Sequence, residues 1–186
     1  MADFDINSPG DIFDSRDVIE RWEELQGEHD SLQEAIDEAA EAHDEAVAAS
    51  DEWQRELDET MESGNETAIE RLESQRADHN EAIGAAREAL KDAERAMEEW
   101  TDYEEYAALK SFVEEASGYG DWDHGETFIA DSHFEEYAEQ LAEDIGAVKR
   151  NAEWPYTCID WKQAAEELKA DYTSYEINGS TYWARS

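Results

Sequence analysis

From Val18 onward, residues able to sit on a helix seam recur in alternating steps of four and three: Val18, Trp22, Leu25, His29, Leu32, Ile36, Ala39, His43, Ala46, Ser50, Trp53 and Leu57. A heptad register held this long fits a helix packed lengthwise against another helix, and little else. Asp14 or Ser15 is the expected N-cap, Gly64 the expected stop, and Asn65 the expected cap of a following helix. That second helix carries its own seam, through Ile69, Leu72, Arg76, His79, Ile83, Ala86, Leu90, Ala93, Met97 and Trp100. So short a turn forces the two to run antiparallel. At about 1.5 Å per residue the first helix would be roughly 70 Å long and the second roughly 50 Å.

Beyond Trp100 the pattern becomes mixed. Asp102 is the expected cap of an amphipathic helix carrying Tyr106, Leu109, Phe112 and Val113, which Gly118 closes and the loop YGDWDHGE follows. ETFIA reads as a strand. Asp131 or Ser132 should cap a helix bearing Phe134, Tyr137, Ala138, Leu141 and Ile145 up to Gly146. WPYTCI reads as extended because Pro155 biases Trp154 away from helix. Asp160 caps a last helix, Trp161 to Ala170, and β-rich flanks around Asn178-Gly179 predict a hairpin with a type I′ turn. The expected fold is mainly α, of α+β class: an N-terminal segment 1–15, an antiparallel helical hairpin 16–100, and a small acidic α+β domain 101–186 ending in a β-hairpin.

Charge constrains function more than fold. Asp and Glu number 52 against 14 Lys and Arg, a net charge of −38, yet hydrophobic residues make up 40% of the chain and it holds seven tryptophans. Disordered acidic chains are poor in aromatics, so the charge is expected on a folded body. A surface so negative disfavours nucleic acid and anionic lipid and favours basic partners. No apolar run approaches a membrane span, and MADFDINSPGD lacks the basic and apolar parts of a signal peptide; a cytoplasmic protein is expected. The lone Cys158 excludes an intramolecular disulfide and, beside apolar residues, reads as a buried thiol.

The acids are unevenly placed. Residues 16–62 hold eighteen acids and three bases, whereas residues 63–100 balance ten with five. With Trp22, His29 and Ile36 in the a column, b reads Glu23, Asp30, Asp37, Asp44, Asp51, Asp58 and c reads Glu24, Ser31, Glu38, Glu45, Glu52, Glu59. The columns flanking the seam hold Ala35, Ala40, Ala42, Val47 and Ala49, and the second helix places Ala82, Ala89 and Ala96 likewise. An apolar face that wide suits two hairpins paired as a four-helix dimer. Like-charge neighbours such as Glu34 with Asp37 and Glu38 each cost about 0.2–0.5 kcal/mol, and lysines would have removed that cost. Two readings of the stripe compete evenly: a solvated or salt-adapted face, and a surface for binding.

As a binding surface, its complement is a groove made for phosphates. The hairpin as a whole offers about 20 net negative charges over some 70 Å, or about one per 3.5 Å of helix, against one per roughly 1.7 Å of duplex axis. An acidic adaptor that escorts a basic protein is the further alternative. His29, His43 and His79 read as polar seam residues that set register. Asp121, Asp123, His124 and Glu126 match no metal-loop spacing and read as a turn. Trp154, Tyr156, Trp161, Tyr172, Tyr175, Tyr182 and Trp183 are the expected core of the globular end. With no phosphate loop, dinucleotide fingerprint, metalloprotease helix or nucleophile elbow, neither enzyme activity nor a cofactor or metal is expected.

HFEEYAEQLAEDIGAV and WPYTCIDWKQAAEELKADYTSYEINGSTYWAR, within residues 120–186, resemble the C-terminal region of ArdA-type antirestriction proteins and related phage DNA mimics: an acidic helix, an IDW cap, a second acidic helix ending in DY, then a strand pair. The resemblance implies an inhibitor of bacterial defence enzymes that acts without catalysis. It also implies that Glu135, Glu136, Glu139, Glu143, Asp144, Glu166, Glu167 and Asp171 belong to the mimic surface. The partner would be a restriction–modification enzyme or a CRISPR effector with a basic DNA channel.

Overall fold

The computed structural model describes residues 4–118, 121–149, 153–154 and 156–185. The chain is mainly helical with one small antiparallel sheet, and divides into two compact units: residues 1–26 with 102–186, and residues 27–101. The division differs from the sequence boundaries at 15/16 and 100/101, because the first turns of the long helix pack in the sheet-bearing unit.

That unit begins with strand β1 (Ile12–Asp14) and the start of helix α1 (Ser15–Ser63). It continues with α4 (Tyr103–Ala116), α5 (Trp122–Gly125), β2 (Thr127–Ala130), α6 (Phe134–Asp144), α7 (Trp161–Leu168), β3 (Tyr172–Ile177) and β4 (Ser180–Arg185). The strands lie in the order β1-β2-β4-β3, antiparallel throughout. Period-2 alternation sends Phe13, Phe128, Tyr175 and Tyr182 to one face, where Phe13, Phe128 and Tyr175 meet the ring of Phe112 of α4, Tyr182 meets Phe13, and Trp122 of α5 lies edge-to-face with Phe112 and Phe128. Ile129 and Tyr172 go to the opposite face with Trp183, against Phe134 and Ala138 of α6 and Ala165 of α7. Asn178 and Gly179 both take positive φ, as the expected tight turn requires, and the register Ile177↔Ser180 closes it. Asn178 also donates through Nδ2 to the Ile6 carbonyl, and Tyr182 through its hydroxyl to the Gly10 carbonyl, so the N-terminal segment is laced to the hairpin.

The second unit is the expected antiparallel hairpin. Residues 27–63 of α1 run against α2 (Glu66–Ser74) and α3 (Arg76–Glu98). Gly64 turns the chain with φ +70, and the Asn65 side chain accepts from the Ala68 amide. At the other end the Trp100 indole donates to Glu28 at 3.1 Å. Every seam residue expected between His29 and Leu57 is buried or half-buried; on the facing strand of the seam only Arg76 is exposed. His29, His43 and His79 are among the half-buried ones.

The structure corrects several expectations. The second helix is interrupted at Gln75: the Leu72 carbonyl accepts from the Gln75 amide and from the Trp53 indole N–H at 2.9 Å, so a side chain enters the helical ladder. Asp102 and Asp131 occupy no capping hydrogen bond. Asp131 opens a 3₁₀ turn, Asp131–His133, before α6, and its carboxylate is taken by Lys169 and Trp183 instead. Part of the loop 119–126 forms α5, with Trp122 buried, while Tyr119 and Gly120 lie outside the described residues. Tyr156–Cys158 is a 3₁₀ turn, not extended chain, and Trp154, Tyr156 and Cys158 are exposed, as is Ile145; Pro155 lies outside the described residues. The last helix ends at Leu168 and tightens to a 3₁₀ turn at Lys169–Asp171.

Candidate functional site

The heptad register of α1 decides where its carboxylates point. Seam residues face the hairpin partner, so the b and c columns face solvent, and Glu23, Glu24, Asp30, Asp37, Glu38, Asp44, Glu45, Asp51, Glu52, Asp58 and Glu59 are all exposed. Glu23 and Glu24 belong to the sheet-bearing unit and the others to the hairpin unit.

Neighbours differ along the stripe. Glu24 meets Arg21 at 2.8 Å, Asp30 meets the His29 ring at 3.3 Å, and Asp44 meets His43 at 3.6 Å. Asp37 and Asp58 accept from the amides of Gln33 and Gln54 one turn earlier, which fixes the carboxylates without neutralising them. Among the described residues no Lys, Arg or His nitrogen lies within 4 Å of Asp37, Glu38, Glu45, Asp51, Glu52, Asp58 or Glu59. On α3, by contrast, Glu88 and Asp92 are paired one turn on with Lys91 at 2.9 Å and Arg95 at 2.8 Å.

The acids of the C-terminal half lie on α6 and α7, which pack against each other, and on the turn after α7. Glu135, Glu136, Glu139, Asp144, Glu166, Glu167 and Asp171 are exposed, and Glu143 is half-buried. Glu166 is engaged by Lys169 at 2.9 Å, and Glu136 faces His133 at 3.4 Å. Lys169 is the hub of this region: its ammonium reaches Asp131 at 2.6 Å and lies over the rings of Phe134 and Trp183. Burial works against its charge, but the two carboxylates prevail and hold Lys169 above the ordinary lysine range.

The Lys169 ammonium and the Trp183 indole hold the Asp131 carboxyl below the usual range. A carboxyl depressed on folding stabilises the fold above its unfolded value, near 3.8, and that contribution is lost as the pH falls through the folded value. Thermal melts should therefore fall more steeply below pH 4 in the native protein than in Asp131→Asn, and parallel curves would refute the coupling.

Among the described residues, Asp121, Asp123, His124 and Glu126 included, no set of three or more His, Cys, Asp or Glu side chains is placed to hold a metal ion. Among the described residues, no helix is long and apolar enough to cross a membrane. No family model, curated protein or solved structure matches the chain.

Sequence reasoning missed Arg21. Its guanidinium bonds Glu105 of α4 at 2.6 Å and Glu24 on its own helix, and these partners outweigh burial in raising its pKa. It thus uses up one acid of the stripe to anchor α1 in the sheet-bearing unit. The a–g alternation around Trp22 marked position 21 as a flank of the seam, and a cation there was the available signal.

Proposed function

We propose that this protein is an acidic DNA mimic, a non-enzymatic inhibitor of the antirestriction or anti-CRISPR kind. It acts in the cytoplasm of a host cell, as a phage or mobile-element product would, by occupying the DNA-binding channel of a bacterial defence complex. One observation carries this: among the described residues, Asp37, Glu38, Glu45, Asp51, Glu52, Asp58 and Glu59 on the outer face of α1 are exposed with no cation within 4 Å, while on α3 Glu88 and Asp92 are paired with Lys91 and Arg95. Repulsion left standing along α1, where cations one turn on relieve two acids of α3, is the pattern expected where the missing counter-charge comes from a partner. A channel lined for phosphates supplies it, because such channels bind mainly through charge. The exposed alanines Ala35, Ala42 and Ala49 on α1, with Ala82, Ala89 and Ala96 on α3, support a homodimer through the hairpin, which would bring a second stripe.

The test is direct. Asp30, Asp37, Glu38, Asp44, Glu45, Asp51, Glu52, Asp58 and Glu59 are changed together to Asn and Gln. Helicity by circular dichroism should be kept, since repulsion is relieved. Binding to a candidate restriction–modification or CRISPR effector should weaken about 100-fold or more, as expected when many charge-assisted contacts are lost together. The native protein and duplex DNA should exclude each other from that effector. A complex carrying both at once would favour an acidic escort over a mimic.

A further inference from the structure

A pocket of about 470 Å³ opens on the sheet face that α6 covers, lined by Asp121, Glu126, Ile129, Tyr137, Tyr172 and Arg185. The volume falls within the roughly 300–1,000 Å³ of small-molecule sites. One wall is tied down. Ser15, fully buried, donates its amide to the Glu126 carbonyl and its hydroxyl to the Trp122 carbonyl, and accepts from the Glu126 amide at 2.8 Å. Glu126 in turn accepts from the Asp121 amide at 2.9 Å. Gly125 takes φ +106, and a Cβ there would strike Arg16 at 2.9 Å, so the turn closes tightly on the start of α1. The opposite wall is held by the hydroxyls of Tyr137 and Tyr172, 3.0 Å apart.

Three charges line this pocket, and none of them has an oppositely charged side chain within 4 Å among the described residues: the guanidinium of Arg185 and the carboxylates of Asp121 and Glu126. Arg185 stands opposite Tyr172 in the strand register, and its charge acts on the Tyr172 hydroxyl. A free anion drawn to Arg185 would be repelled by a chain of net charge −38. A free cation drawn to the carboxylates would meet Arg185. A ligand bearing both charges satisfies all three groups and, being neutral overall, escapes the long-range field.

We propose that the pocket binds a small zwitterion, an α-amino acid or dipeptide, with its carboxylate on Arg185, its ammonium on Asp121 and Glu126, and its side chain against Ile129, Tyr137 and Tyr172. The site lies wholly within the sheet-bearing unit and does not depend on the mimic role. The probes are L-leucine and glycyl-leucine, with N-acetyl-L-leucine lacking the ammonium and L-leucinamide lacking the carboxylate, titrated into the isotope-labelled full chain and followed by amide chemical shifts. Saturable shifts at residues 121–129, 172 and 185, with a Kd of about 1 mM or tighter, are expected for a free zwitterion. Either blocked analogue should bind at least tenfold more weakly. Arg185→Gln should abolish L-leucine binding, and Asp121→Asn should weaken it; both positions are exposed, so the fold is kept. No saturable shift with any probe, equal binding of a blocked analogue, or unchanged binding by Arg185→Gln would each overturn the assignment.

Discussion

Phe128→Ala should lower the stability of the sheet-bearing unit by about 3–5 kcal/mol, read from urea denaturation followed by near-UV circular dichroism. Phe128 is 1% exposed, on the second strand of the sheet order. Its ring stacks on Phe13 at 5.0 Å, 6° from parallel, and receives the edges of Phe112, Trp122 and Tyr175 at 5.3–6.1 Å. Four elements thus converge on one side chain: β1, α4, α5 and β3. Deleting the ring removes its burial and also the edge-to-face contacts, each about 0.5–1.5 kcal/mol, and neighbours drawn from four elements cannot all collapse into the gap. Phe128→Leu keeps most of the volume and should cost about half as much or less. Equal losses for the two variants would mean that volume and ring contacts are not what hold this face together.

The value of reading periodicity shows best in the hairpin. Each seam residue from His29 to Leu57 was identifiable, because two packed helices bury positions three and four apart and nothing else in that stretch competes. Gly64, Asn65, Asp160 and the Asn178-Gly179 turn were legible for a related reason: a positive φ or a capping side-chain oxygen is satisfied by neighbours in the chain itself. What could not be read depends on partners far along the chain. Asp131 has the chemistry of a cap, yet Lys169, 38 positions on, and Trp183, 52 positions on, take its oxygen. Residues 4–14 carry too short a pattern to announce a strand; Ile12–Asp14 becomes one only because Phe128 and Ile129 arrive beside it. The aromatics of 154–158 were placed in the core by type alone, and Trp154 is 80% exposed. Similarly, the exposure of the stripe acids followed from the register, whereas the pocket residues come from four separate stretches of the chain, of which only Asp121 and Glu126 stood together in the sequence reading.

The interruption at Gln75 shows the same principle inside the hairpin, and Trp53 is expected to be its cause. Trp53, Leu57 and Leu72 form the buried cluster of this unit; the His79 ring lies 5.3 Å from the indole and the Arg76 guanidinium sits over it at 5.8 Å. The indole N–H occupies the Leu72 carbonyl, which in an uninterrupted helix would accept from the amide of Arg76. Trp53→Phe keeps an aromatic ring on the seam but has no donor, so the carbonyl is released to the backbone. Gln75 already holds helical φ and ψ, −84 and −11, and nothing in its own geometry forbids a continuous helix. In Trp53→Phe the Arg76 amide should gain protection in hydrogen exchange as the two segments join, while stability falls by about 1–2 kcal/mol for the lost hydrogen bond and volume. Trp53→Ala removes the ring as well and should cost about 3–5 kcal/mol, with Leu57 and Leu72 losing their neighbour. If the Arg76 amide exchanges as freely in Trp53→Phe as in the native chain, the break belongs to the backbone at Gln75 and not to the side chain that enters it.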